Sequence, residues 1–86
     1  MNKLEQSFKR HANMHTKDTL LMQLNNTIKF GRNNVKTFDS LDNMYVQKAL
    51  QGNFEKLTKY QIVELKFYLR RAIDKARFGE DYEPLV

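Results

Sequence analysis

Fifteen cations and two histidines are the side chains through which this sequence could do chemistry, and their spacing narrows the kind. In HANMH, His11 and His15 stand four residues apart, the separation at which a metalloprotease helix presents two zinc ligands. Ala12 holds the place of that helix's general-base glutamate, and no third ligand follows at a recognisable spacing, so no metal site is expected. Partly buried or partner-facing histidines are the reading instead, since proton transfer by either needs a neighbour from elsewhere in the fold. There is no Gly-rich phosphate loop and no nucleophile elbow, and Asp39 and Asp42 suit helix capping. With three glycines and a small core, little room is left for a preorganised pocket. The expectation is a protein that is not an enzyme and takes no cofactor.

The cations carry a clearer pattern. Lys59, Lys66, Arg70 and Arg77 follow one another at gaps of seven, four and seven, which nearly close whole helical turns. At about 100° per residue with Lys59 at zero, all four fall within about 20° of one line. Ile62, Leu65, Leu69, Ala72, Ile73 and Ala76 occupy roughly 220° to 320°, one apolar face. Tyr60, Val63, Phe67 and Phe78 occupy roughly 40° to 100°, a second one. A basic ridge between two apolar faces is therefore expected, forming one outward positive rail. It has an ordinary reading, a solvated seam whose stems cover the core edges, with Asp74 pairing with Arg70 or Arg77. It has a functional one as well, in which the ridge tracks phosphates and Tyr60 or Phe67 stacks on a base.

The element that holds this ridge is a helix from about Lys59 to Phe78. Thr58 and Gln61 form a capping-box pair at its start, and Gly79 ends it after Lys75 and Arg77 in the last turn. Before it, Met1, Leu4, Phe8, Ala12 and His15 recur at threes and fours, giving a first helix over about Asn2 to His15. Thr16 or Asp18 caps a second helix with Leu20, Leu21, Leu24 and Ile28 in one stripe, running to about Lys29 and stopping near Gly31. Residues 27–38 also fit a short hairpin around Arg32, Asn33 and Asn34, but a two-stranded hairpin is marginal in water and helix followed by loop is preferred. Arg32 and Lys36 make that loop a second basic candidate for phosphate contact. Asp39 and Ser40 are candidate caps for a third helix from Leu41 to about Gln51, ended by Gly52. Pro84 disfavours helix at Glu83, so the acidic tail does not continue the helix; it folds over the ridge, docks on a partner through Tyr82, Leu85 and Val86, or stays disordered.

Composition bounds the rest. Eighty-six residues make one domain, here 1–79 with an acidic tail 80–86. Without cysteine there are no disulfides or thiolate metal sites, and no apolar run is long enough for a membrane span, so a cytoplasmic protein is expected. The formal charge of +5 is uneven: seven basic against two acidic residues over 1–37, eight against five over 38–79, and three acidic residues in the tail. A basic body of this kind favours polyanions or acidic protein surfaces. Its richness in Asn, Lys, Phe and Tyr is also common among small phage proteins from AT-rich genomes.

Together these point to an all-α bundle of about four helices with the long C-terminal helix central. The function expected first is non-sequence-specific nucleic-acid binding, RNA or a single strand favoured. Lys59, Lys66, Arg70 and Arg77 contact phosphate in this reading, Arg71, Lys75, Arg32 and Lys36 extend the surface, and Tyr60 and Phe67 stack. One alternative is a phage-type inhibitor or adaptor that binds a host or defence protein such as a nuclease. Another is a structural homo-oligomer that pairs its Tyr60, Val63 and Phe67 faces.

Overall fold

A computed structural model of the protein describes residues 2–79. The tail 80–86, expected either to cover the ridge or to dock elsewhere, lies outside the described residues, as does Met1 at the head of the first apolar stripe. Four α-helices make up the fold: α1 Lys3–Met14, α2 Lys17–Asn34, α3 Met44–Gln51 and α4 Lys59–Phe78. Single 3-10 turns at Phe38–Ser40 and Phe54–Lys56 flank α3, and no strand occurs among the described residues. The small all-α bundle is as expected, and α4 packs against each of the other three helices.

Each helix begins on a side-chain cap. Asn2 Oδ1 accepts from Glu5 N–H, and Thr16 Oγ1 accepts from Thr19 N–H, so Thr16 rather than Asp18 starts α2. The Thr58 capping box forms in full: its Oγ1 accepts from Gln61 N–H at 3.1 Å, and Gln61 Oε1 accepts from Thr58 N–H at 2.8 Å. At the other end, Gly79 closes α4 at a positive φ of 112°, its N–H donating to Lys75 C=O.

Two boundaries differ from the sequence reading. The second helix does not stop at Gly31 but continues through it to Asn34, which also disposes of the hairpin. Gly31 is needed for closeness rather than for a turn. A Cβ there would lie 2.5 Å from the Phe38 ring and 2.8 Å from Ile73 Cδ1, so its absence lets α2 meet α4 with Phe38 wedged beside them. The third helix begins at Met44, capped by Asn43, whose Oδ1 accepts from Tyr45 and Val46 N–H. Asp39 and Ser40 lie instead in the 3-10 turn that carries the fully buried Phe38 into the core.

The expected stripes form the core. Leu20, Leu24 and Ile28 from α2 meet Ile62, Leu65, Leu69 and Ile73 from α4, and Val46 and Ala49 of α3 close one side. Ala72 is only partly buried at the margin and Ala76 is exposed, so the main face of α4 is narrower than expected. The second apolar face is covered from within over Tyr60, Val63 and Phe67, while Phe78 at its far end is exposed. Phe8 of α1 meets Tyr60, Phe67 and Tyr68 edge-on, with ring centroids 5.1 to 6.1 Å apart.

Candidate functional site

Because α1 and α2 both approach α4, the ridge of α4 faces the seam between them. A cleft of about 520 Å³ opens along that seam, within the range of about 300–1,000 Å³ typical of small-molecule sites. The expectation that so small a core leaves little room for a pocket is thus corrected. Phe8 and His11 come from α1, and Gln23, Asn26 and Thr27 from α2. From α4 come Val63, Lys66, Phe67 and Arg70, with Arg71 and Asp74 beyond them.

One polar contact in the cleft is a triangle drawn from three helices. Lys66 Nζ stands 2.7 Å from Gln23 Oε1 and 2.9 Å from His11 Nε2, which are themselves 3.1 Å apart. With the ammonium donating to both, His11 presents Nε2 as an acceptor and keeps its proton on Nδ1. The His11 ring lies against that of His15 at 4.7 Å, at the turn into α2. Both partners of Lys66 are neutral, and partial burial pushes its ammonium below the ordinary 10.5. Among the described residues no group of three acidic, histidine or cysteine side chains could hold a metal.

One and two turns further along, the ridge is held by a carboxylate. Asp74 is buried, and Arg70 Nε donates to its two oxygens at 3.2 and 3.3 Å while Arg77 stands 3.6 Å away. The Arg70 and Arg77 guanidiniums also lie over the Phe30 ring of α2, at 4.1 and 5.0 Å from its centroid. The single outward rail is therefore corrected. Lys66 turns inward to His11 and Gln23, and Arg70 and Arg77 share Asp74. Lys59, Arg70 and Arg77 remain exposed, while Lys66 is half-buried.

The structure brings together Lys66, Phe67, Arg70 and Arg71 and separates the remaining candidates. Lys75 lies on the opposite side of α4, beside Leu41, Asp42 and Asn43. Arg32 meets Asp39 at 3.5 Å near the end of α2, and Lys36 is exposed in the loop that follows. Tyr60 packs on Phe8 outside the cleft, and its phenol is pushed above 10.0 by partial burial and then by the carboxylates of Glu5 and Glu64. That acidic corner suits phosphate poorly.

His11, Gln23, Asn26 and Thr27 belong to the site although sequence reading did not connect them to Lys66. Gln23 and Thr27 stand four apart beside the apolar stripe of α2, a visible polar flank, but which cation faces them depends on tertiary packing. No family model matches this sequence, and neither the curated proteins nor the solved structures contain a significant match to it.

Proposed function

We propose that the chain is a small, non-catalytic nucleic-acid-binding protein that takes a single strand, RNA in preference to duplex DNA, without reading its sequence. The observation that carries this reading is the common cleft of Lys66, Arg70, Arg71 and Phe67, faced by the neutral hydrogen-bonding groups of Gln23, Asn26 and Thr27. Cations hold phosphate, an aromatic wall receives an unpaired base, and amides and hydroxyls tolerate any base edge. A recess between three helices suits one splayed nucleotide better than a stacked duplex. The motivation for a homo-oligomer is weaker, because Phe8 already covers the Tyr60, Val63 and Phe67 face.

The test is fluorescence anisotropy of a labelled single-stranded RNA across a salt series. Three cleft cations give an expected slope of about −2 in log K against log salt, and Arg70→Ala lowers both affinity and slope. Binding that is undetectable at low salt, or indifferent to it, contradicts the proposal. A pull-down with and without nuclease supplies the competing outcome: one host or defence protein that survives nuclease points to the inhibitor or adaptor instead.

A further inference from the structure

We propose that Lys66 is a nucleophilic lysine, and that the cleft captures an aldehyde carried beside a phosphate by forming an imine at Lys66 Nζ. The adduct is stoichiometric, without turnover, and Lys66 forms it whether or not the cleft also holds a strand.

A lysine becomes nucleophilic when it leaves full solvent contact and no counter-charge holds its proton. Seven of the ten lysines are exposed, whereas Lys66 is half-buried where α1, α2 and α4 meet. Its partners, Gln23 Oε1 at 2.7 Å and His11 Nε2 at 2.9 Å, are both neutral when His11 is the acceptor. Among the described residues no carboxylate pairs with it. An ordinary lysine is a free amine in roughly one molecule in a thousand at about pH 7.4. Partial burial lowers the Lys66 ammonium from its usual range, which enlarges that reactive fraction.

The same triangle accounts for the protons. His11 Nε2 takes one proton from Nζ, and the freed lone pair attacks the carbonyl carbon. As the new C–N bond forms, the carbonyl π pair moves to oxygen, and His11 returns its proton there. The nitrogen then forms the C=N bond and loses a second proton, and the hydroxyl departs as water. Ammonium and aldehyde thus give a protonated imine and one water, with no net proton taken up or released.

The rest of the cleft fits an anionic aldehyde. It lies open along the seam, so a carbonyl carbon can reach Nζ from solvent. Arg70 stands one turn beyond Lys66 on the same lining and meets Asp74 through Nε. Its terminal amino groups carry four further N–H donors, suited to two-point contact with phosphate oxygens. Phe8, Val63 and Phe67 offer an apolar wall to the body of the ligand.

Reductive trapping tests the proposal. The chain is incubated with pyridoxal 5′-phosphate, or with single-stranded DNA carrying one abasic site, and reduced with cyanoborohydride. Peptide mass spectrometry then maps the adduct. The two probes separate a free aldehyde phosphate from a strand-borne open sugar flanked by phosphates. With at least one of them, Lys66 is expected to react about tenfold or more faster than any exposed lysine, and excess inorganic phosphate to slow it. Lys66→Arg is expected to abolish the fast adduct while keeping the charge. Gln23→Glu gives Lys66 a carboxylate at the same side-chain length. In a variant that still unfolds cooperatively, it is expected to slow Lys66 to the rate of the exposed lysines and leave theirs unchanged. Label spread evenly over the lysines with both probes overturns the assignment, and mapping of the unmodified sequence decides this without any variant. So does a Lys66 rate indifferent to inorganic phosphate or, in the folded variant, to Gln23→Glu. Selective trapping of one probe alone upholds the site and assigns its source.

Discussion

The Lys66 ammonium lies where a side chain selected only for stability would not be. It exchanges part of its hydration for two neutral partners, and that partial burial pushes its pKa down. The folded state binds the Lys66 proton less tightly than the unfolded chain does, so the penalty is complete below the folded pKa and fades as pH rises toward 10.5. Lys66→Met is therefore expected to unfold at an equal or higher denaturant midpoint at pH 7, since His11 and Gln23 can bond each other once the amine is gone. The advantage of the variant should shrink as pH rises toward 10.5, and an advantage that widens contradicts the assignment. Asp74 works in the opposite sense. Asp74→Asn weakens the hold on Arg70 and Arg77 and is expected to cost about 1–2 kcal/mol by chemical denaturation. It also removes a negative charge from the cleft, so RNA affinity should rise and the salt slope steepen by about 0.7. A variant that loses stability and affinity together places Asp74 in a purely structural role. Sequence spacing identified Asp74 as a neighbour of both arginines. It could not identify the burial of Asp74, or the Phe30 ring of α2, forty-odd residues upstream, on which both guanidiniums lie.

Each helix was legible in proportion to how locally it is determined. The capping box, the glycine stop and the apolar period of α4 all act within a few residues, and its bounds follow from them. The end of α2 is not local. Gly31 reads as a stop by propensity, yet the helix persists because the missing Cβ is what lets Phe38 and Ile73 close on that turn. The start of α3 failed for a related reason, since burying Phe38 draws Asp39 and Ser40 into a 3-10 turn and leaves the cap to Asn43. Gly31→Ala is accordingly expected to destabilise by about 1–3 kcal/mol through overpacking, against the gain of up to about 1 kcal/mol that helix propensity alone implies. Thermal unfolding checks it, and a stabilised variant contradicts the close contact.

At the scale of the whole molecule, a chain of 86 residues keeps a cleft where α1, α2 and α4 meet rather than filling it with core. The direction of the charge was readable, and so was the helix that bears more of it than any other. How three helices divide that charge was not, because a helical wheel gives each side chain an angle and gives no angle to its neighbours. Packing α1 and α2 onto α4 turns Lys66 and Arg70 toward a shared recess, leaves Lys59 at one end, and sends Lys75 to the α3 side. Binding should therefore be one-sided. Amide chemical-shift mapping during titration with a short single-stranded RNA is the direct test. The account expects shifts that cluster at residues 7–11, 23–27 and 63–71 while residues 41–43 and 75–76 stay still. Shifts centred on that opposite face, or none at saturating RNA, contradict it.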